Sequence, residues 1–189
     1  MTERDKMISG ELYDATDSEL GKDRERVKEL CFDYNMLRPS DTEKQRKILH
    51  EIIGKMGDNI TILPSFWCDY GYNIEIGNNF FSNHNLIILD CAKVTFGDNV
   101  FIGPNSGFYT AGHPFDPEIR RVGIEYAKPI TVGNDVWIGA GVHVMPGVSI
   151  GNNVVIGAGS VVTKDIEDNS VALGNPCKVV KKIDGKQVL

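Results

Sequence analysis

Aliphatic residues recur at every sixth position in the second half of the chain. Each unit opens on an aliphatic residue and carries a second small or aliphatic residue four places further on. The opening residues are Val132, Ile138, Val144, Ile150, Ile156 and Val162, and the second residues are Val136, Val142, Val148, Val154, Ser160 and Ile166. A helix repeats about every 3.6 residues and a strand about every two, so neither produces this spacing. The pattern predicts a solenoid in which each unit is one short strand and a turn.

The same rhythm is present earlier, with interruptions. I-G-N-N-F-F begins at Ile76 and F-G-D-N-V-F begins at Phe96. The step from Ile88 to Phe96 is too long for one unit, which predicts a bulge. Residues 109–129 break the pattern, yet the repeat resumes in phase after them. We therefore expect a loop that leaves the solenoid there and rejoins it.

The repeat also predicts where a site can lie. Three units would complete one coil of a triangular prism, with the aliphatic positions filling its interior. The Gly and Asn residues that follow them suit tight turns, in which positive φ is common. Because the interior is packed, we expect any site to lie outside the prism, in a loop or between prisms.

Residues 1–60 have a different composition, rich in charged residues and poor in Gly, which predicts an α-helical hairpin. The apolar residues of each predicted helix share one face. They are Val27, Leu30, Cys31 and Tyr34 in the first helix, and Ile48, Leu49, Ile52 and Ile53 in the second. Pro39 ends the first helix, and Ser40 with Glu43 is the predicted capping box of the second. The hairpin would cap the solenoid of residues 61–189, and the C-terminal segment would close its other end.

Composition restricts the function classes. The net charge of −6 disfavours nucleic-acid binding, which needs a basic surface. No apolar run approaches the roughly 20 residues of a membrane span, and the N-terminus lacks the apolar core of a signal peptide. We therefore expect a cytoplasmic protein without nucleic-acid or membrane partners. The four Cys form no C-x-x-C pair, which disfavours a zinc ribbon or a redox motif.

His113 is the strongest candidate for chemistry. It lies in the loop that interrupts the solenoid, and loops on rigid scaffolds often carry catalytic groups. An imidazole can act as a general base near neutral pH, although a plain surface His is the alternative. Glu125 in the same loop could orient that imidazole and stabilise its protonated form, or bind an acceptor directly. Solvated or structural roles are expected for the other histidines, His50, His84 and His143.

Several segments outside the hexads carry a family resemblance. They are G-E-L-Y-D at 10–14, F-W-C-D-Y-G-Y-N-I-E-I-G-N-N-F-F-S-N at 66–83, T-A-G-H-P-F-D-P at 110–117, A-K-P at 127–129, T-K-D at 163–165 and G-N-P-C-K-V-V at 174–180. Together with the hexads they resemble the maltose and galactoside O-acetyltransferases, and the maltose type more closely. The resemblance covers nearly the whole chain. It implies a mainly β fold, a left-handed parallel β-helix, assembled as a homotrimer with active sites between subunits.

The resemblance also implies an activity, the transfer of an acetyl group from acetyl-CoA to a sugar hydroxyl, at the primary 6-hydroxyl. His113 would be the general base for direct attack, with no acyl-enzyme and no metal. Asp14, Asp69 and Asn83 would bind the acceptor, because carboxylates and carboxamides pair well with hydroxyl groups. Galactoside members carry an acidic residue where this chain has Cys91, a departure that disfavours galactoside specificity.

The donor, coenzyme A, is a polyanion, so basic charge must be local in this acidic chain. Residues 160–189, which include Lys186, hold five Lys against four acidic residues. The resemblance assigns donor binding to Ala140, Ala158, Thr163, Lys164, Lys178 and Lys181. The Ala140 N–H is the predicted oxyanion donor. Trp137 would pack on coenzyme A or on a neighbouring subunit.

Other functions remain open at this point. Serine or an antibiotic could replace the sugar as acceptor, although G-E-L-Y-D with Asp14 favours the sugar branch. A zinc hydratase on the same solenoid would need three His at one subunit interface, two of them about five residues apart, and no H-x4-H occurs. A non-catalytic scaffold is disfavoured by the intact G-H-P loop.

Overall fold

The computed structural model describes residues 1–185, and Lys186 lies outside them. Its helices are α1 (Glu3–Ser9), α2 (Ser18–Asn35), α3 (Thr42–Ile52) and α4 (Pro117–Arg121). Its strands are β1 (Tyr13–Asp14), β2 (Lys55–Met56), β3 (Ile60–Ile62), β4 (Phe66–Cys68), β5 (Ile74–Ile76), β6 (Phe80–Ser82), β7 (Leu86–Leu89), β8 (Val94–Phe96), β9 (Phe101–Ile102), β10 (Gly107–Tyr109), β11 (Ala111–Gly112), β12 (Ile124–Ala127), β13 (Ile130–Val132), β14 (Trp137–Ile138), β15 (His143–Val144), β16 (Ser149–Ile150), β17 (Val154–Ile156), β18 (Val161–Val162), β19 (Ser170–Leu173) and β20 (Lys178–Lys182).

Successive coils stack their strands in parallel, which confirms the predicted β-helix. The first face holds β2, β5, β8, β13 and β16; the second holds β3, β6, β9, β14, β17, β19 and β20; the third holds β4, β7, β10, β15 and β18. All aliphatic residues of the predicted hexads are buried. The rings of Phe80, Phe96 and Phe108 meet edge to face inside the prism, with centroids 5.2 and 4.9 Å apart. The interior is a packed apolar core, as predicted.

Three corners join the faces, and each has its own chemistry. The asparagine corner connects the first face to the second at 57–59, 77–79, 97–99, 133–135, 151–153 and 167–169. The alanine corner connects the second face to the third at 63–65, 83–85, 103–106, 139–142 and 157–160. The loop corner returns the chain to the first face at 69–73, 90–93, 110–129, 145–148 and 163–165.

Positive φ at the asparagine corner falls on its last residue, such as Asn79 at 55° and Asn153 at 53°. The Gly that follows each aliphatic residue serves a different purpose. A Cβ on Gly133 would lie 2.8 Å from the Gly151 carbonyl oxygen of the next coil. Our expectation that both residue types serve positive φ is therefore corrected at this corner, because its glycines permit close stacking of the coils.

The interruption at 109–129 is a folded excursion that contains β11, α4 and β12. The coil resumes in phase after it, since the Gly97 N–H donates to the Val132 carbonyl at 2.8 Å. The excursion leaves from the loop corner. It is the largest departure from regularity in the described solenoid.

Helices α2 and α3 form the predicted hairpin against the start of the solenoid. Val27, Cys31 and Tyr34 are buried on its inner face, as predicted. The predicted capping box at Ser40 and Glu43 is wrong. Helix α3 begins one residue later, its N-cap is Asp41, and no side chain caps it. The Asp41 carboxylate lies instead 3.7 Å from Lys44 Nζ.

The two ends of the chain complete the fold. Helix α1, which the sequence pattern did not reveal, has a capping box between Thr2 and Asp5. At the other end, β20 folds back antiparallel on β19, so the last coil does not present β19 as an open edge.

Candidate functional site

A small antiparallel sheet fixes the excursion at the loop corner. It has the order β1–β12–β11, so the N-terminal segment pairs with the loop. Tyr13 lies opposite Glu125, and Asp14 lies opposite Ile124. His113 follows directly after β11, whose Gly112 pairs with Tyr126. The sheet therefore brings His113, Glu125 and Asp14 to one place.

His113 is half-exposed, and both its ring nitrogens have neighbours. Nδ1 lies 3.4 Å from the Ile124 carbonyl oxygen. Because a carbonyl only accepts, Nδ1 carries the hydrogen in this contact, and Nε2 is the nitrogen that can take up or release a second proton. Nε2 lies 3.7 Å from Glu125 Oε1. This arrangement leaves Nε2 as the basic nitrogen, with a carboxylate beside it.

Glu125 does not occupy the place of a triad carboxylate. In such a triad the carboxylate holds the nitrogen remote from the substrate, and here the Ile124 carbonyl lies at that nitrogen. Glu125 instead lies next to the nitrogen that would take the proton, where its charge can stabilise an imidazolium ion. Its second oxygen, Oε2, accepts a hydrogen bond of 2.6 Å from the buried Tyr13 hydroxyl.

Asp69 lies at the loop corner two coils before His113. It is half-buried, and this burial raises the pKa of its carboxyl group. Its Oδ2 accepts from the Cys91 thiol at 3.7 Å. Cys91 is buried, so a sugar could not reach it directly.

Asp90 stabilises this part of the corner by accepting hydrogen bonds from its backbone. It is fully buried, and its carboxylate accepts from the backbone N–H groups of Asp69, Tyr70 and Asn73 at 3.1, 2.9 and 3.3 Å. Burial raises the pKa of Asp90 to about 6. Arg24 adds a nearby positive charge, and its guanidinium donates to the Ala15 carbonyl at 2.7 Å and to the Tyr70 hydroxyl.

Asp14 has one carboxylate oxygen engaged locally. Oδ1 accepts from the backbone N–H and the hydroxyl of Thr16 at 2.8 and 2.7 Å, and these bonds lower the pKa of Asp14. The bond from the Thr16 N–H to Oδ1 closes a side-chain turn. Oδ1 also lies near Gly123 of the excursion, since a Cβ added to Gly123 would be 3.7 Å from this oxygen. Asp14 therefore forms a turn and still borders the loop of His113.

Asn83 lies elsewhere, at the alanine corner. Its Oδ1 accepts from the His84 N–H at 2.8 Å. It does not have the positive φ that would mark a turn residue; Asn85 does, at 64°. Asn83 borders a shallow pocket of about 420 Å³ with the exposed aromatic residues Phe101 and Trp137.

The predicted donor residues are divided between corners and the last strand. Ala140 and Ala158 are exposed at the alanine corner, in successive coils. Neither backbone N–H has an acceptor within residues 1–185. Thr163 and Lys164 are exposed at the loop corner, whereas Lys178 and Lys181 lie on β20.

One chain therefore does not assemble the predicted set. His113, Glu125, Asp14 and Asp69 share the loop corner, whereas Asn83, Ala140 and Ala158 share the alanine corner. The third face separates the two corners, and its strands of two to four residues span about 7–13 Å.

The structure adds residues that the sequence analysis did not single out. Tyr13 and Asp90 contact predicted site residues directly. Tyr13 stands next to Asp14 in G-E-L-Y-D, so the motif was the available signal. Asp90 stands next to Cys91, but nothing in its spacing indicates that it receives backbone hydrogen bonds.

The other histidines have structural partners or lie apart from this site. His84 Nδ1 contacts the Pro64 carbonyl, and His143 Nδ1 lies 3.1 Å from the Tyr109 hydroxyl. His50 lines a groove of about 630 Å³ between α3 and the first coil, which contains none of the predicted site residues. Across residues 1–185 no cluster of three metal-ligating side chains is found. Over the same range, no helix has the length and apolar character that crossing a membrane requires.

Comparison with known proteins covers both parts of the chain. The family described as maltose acetyltransferase hexapeptide capping motif matches residues 6–57. The family described as bacterial transferase hexapeptide (six repeats) matches residues 129–164. A Saccharomyces cerevisiae protein provisionally named as an acetyltransferase is 56% identical over 181 residues, which is 95% of this chain and 92% of the relative.

Two solved structures are similar over nearly their full length. A maltose O-acetyltransferase from Clostridium difficile 630 is 49% identical, with a TM-score of 0.90 over 97% of this chain and 98% of that one. A galactoside acetyltransferase solved in complex with coenzyme A is 44% identical, with a TM-score of 0.94 over 97% and 92%. The fold and the matches define a hexapeptide-repeat acyltransferase. The chain belongs to the maltose and galactoside O-acetyltransferase family and is an acetyltransferase.

Proposed function

We propose that this protein transfers the acetyl group of acetyl-CoA to a hydroxyl group of a glucose-, maltose- or galactoside-type sugar. The observation that carries the proposal is the half-exposed imidazole of His113, held by the Ile124 carbonyl with Glu125 beside its other nitrogen. The maltose and galactoside relatives support a sugar as acceptor. The coenzyme A bound to the galactoside relative supports coenzyme A as the carrier.

In the proposed reaction His113 Nε2 takes the proton of the sugar hydroxyl, and the sugar oxygen attacks the thioester carbonyl. A C–O bond forms, the C–S bond breaks, and the proton passes from Nε2 to the departing sulfur of coenzyme A. No acyl-enzyme is formed. Glu125 stabilises the imidazolium ion, and the Ala140 N–H stabilises the oxyanion of the tetrahedral intermediate.

The acceptor would be bound by Asp14, Asp69 and Asn83. Both bonds from Thr16 go to Oδ1 of Asp14, so Oδ2 is the oxygen proposed to accept from the sugar. Asp69 accepts a weak bond from the Cys91 thiol. Carboxylate oxygens of this kind suit sugar hydroxyls, which are good donors. Primary hydroxyls are the least hindered, and we propose transfer to the 6-hydroxyl.

The active protein is proposed to be a homotrimer. The alanine corner of one subunit would face the loop corner of the next, which would bring Ala140 and Asn83 to His113. Residues on the second face support this assembly, because Phe101 and Trp137 are 51% and 60% exposed and stand in register on neighbouring strands. Large aromatic side chains exposed side by side are typical of a subunit interface. The rest of coenzyme A would be bound by Ala158, Thr163, Lys164, Lys178 and Lys181.

The proposal is tested by following thiol release from acetyl-CoA with a panel of sugars, serine and an aminoglycoside. We expect release with glucose, maltose or a galactoside, and NMR of the product should show the acetyl group at the 6-position. Release with serine or the aminoglycoside and with none of the sugars would overturn the proposed acceptor.

A further inference from the structure

The feature that the proposed reaction leaves unexplained is the phenol of Tyr13, which lies under the catalytic loop. Tyr13 is 1% exposed, and its hydroxyl donates to Glu125 Oε2 at 2.6 Å. The two residues stand directly opposite each other in the β1–β12 pair. The contact is therefore fixed by the backbone register as well as by the hydrogen bond.

The phenol is a permanent donor in this position. Burial raises the pKa of Tyr13 far above its usual range, so the hydroxyl keeps its hydrogen throughout the physiological range. A buried hydroxyl without a partner would be costly. Glu125 accepts this hydrogen with Oε2 and turns its other oxygen, Oε1, to His113 Nε2 at 3.7 Å. One carboxylate is thus shared between a fixed donor and the proposed base.

We propose that Tyr13 is a positioning residue for the reaction, acting through Glu125. It holds the carboxylate in the single orientation in which Oε1 faces His113. The inference rests on the proposed function, because the role of Glu125 toward the imidazolium ion belongs to that proposal. Without the phenol, Glu125 could rotate into solvent, and the imidazolium ion would lose its neighbouring negative charge.

The ring of Tyr13 has a separate structural role, which makes a clean test possible. It packs in a small apolar cluster with Met7, Leu20, Tyr70 and Cys91. A Tyr13→Phe variant keeps this ring and removes only the hydroxyl. Tyr34→Phe is the matched control, because Tyr34 is equally buried and its hydroxyl donates to the Ile62 carbonyl, remote from the loop.

The test is a double-mutant cycle on Tyr13→Phe and Glu125→Gln, measured as kcat and KM. We expect Tyr13→Phe to lower kcat about 10-fold in the wild-type background, the scale of a hydrogen bond to a charged group. KM for acetyl-CoA should stay within about twofold, because the phenol does not contact the donor. In the Glu125→Gln background the same substitution should change kcat less than about twofold. Tyr34→Phe should leave kcat unchanged while lowering the melting temperature.

Additive effects in the cycle would overturn the inference, and so would an unchanged kcat for Tyr13→Phe beside an impaired Glu125→Gln. A crystal structure of Tyr13→Phe provides a measurement that needs no acceptor. We expect the Glu125 carboxylate in more than one orientation, and a single unchanged orientation would also overturn the inference. If no sugar supports thiol release, the proposed function fails, whereas the crystal structure still tests the role of Tyr13.

Discussion

The asparagine corner and the loop corner of the prism are built from the same coils, yet they differ in almost every respect. At the asparagine corner each coil repeats a polar triplet, and the last residue of each triplet has positive φ. Side-chain amides bond from coil to coil, as Asn79 does with Asn59 and Asn99, both at 3.0 Å. At the loop corner no such ladder occurs in the described chain, and Asp69, Asp90 and His113 occupy different environments.

The difference shows how a repeat can carry a site. Hydrogen bonds between stacked positions at the asparagine corner join residues 20, 20, 36, 18 and 16 apart in sequence. Their geometry nevertheless hardly changes, with N···O distances of 2.6 to 2.9 Å. The extra residues are therefore placed at the loop corner. The regular corner sets the register, and the irregular corner is free to vary in length and chemistry.

The largest expected effect is the loss of the proposed base at the loop corner. His113→Ala should lower kcat by about 10²–10⁴-fold, the usual contribution of a positioned general base. The imidazole is half-exposed, so the melting temperature should change little. Steady-state kinetics and a thermal melt check both parts. Near wild-type turnover would remove His113 from the reaction.

The second effect concerns stability at the same corner. Asp90 titrates at about pH 6 in the folded protein, whereas an unfolded Asp titrates near pH 4. Between these values the folded state binds more protons, so the contribution of this group to stability falls as the pH rises. The Asp90→Asn variant lacks the titration. Between pH 4 and pH 7, the free energy of unfolding of the wild type should fall by about 2 kcal/mol relative to the variant.

Urea unfolding at several pH values measures this difference. Parallel pH profiles for the wild type and Asp90→Asn would show that Asp90 does not titrate in this window.

The third prediction joins the loop corner to the alanine corner. If sites form between subunits, co-expressed His113→Ala and Asn83→Ala chains should complement each other. A site is intact when its loop corner comes from the Asn83→Ala chain and its alanine corner from the His113→Ala chain. Random mixing makes about a quarter of the sites intact in a cyclic assembly, so activity should recover to about that fraction of wild type.

The matched control for complementation uses two variants of one corner. His113→Ala and Asp69→Asn both damage the loop corner, so no mixed assembly holds an intact one, and no recovery is expected. Recovery in the control pair, or none in the test pair, would contradict the division of the site between corners.

These corners also mark how far the sequence could predict the structure. The hexads predicted the buried positions and the phase of the solenoid, because packing repeats locally and leaves a periodic signal. The contacts of the loop corner leave no such signal. The hydrogen bond from Tyr13 to Glu125 spans 112 residues and depends on strands that pair outside the repeat. The resemblance indicated Asp14 and His113, but only the folded chain shows the buried Tyr13 and Asp90 that contact the predicted site residues.

The smallest effect should come from the asparagine corner. Asn79 has a φ of 55°, and Asn79→Ala would remove both amide bonds of the ladder and leave a Cβ in the left-handed conformation without the polar side chain that suits it. We expect a loss of about 1–2 kcal/mol in the free energy of unfolding. Asn79→Gly is the matched control, because it removes the same bonds without the steric strain and should cost less. Both variants should keep kcat within about twofold, since this corner lies away from both halves of the proposed site. If kcat fell together with stability, the regular corner would influence the chemistry as well as the register, and the separation of scaffold from site would be wrong.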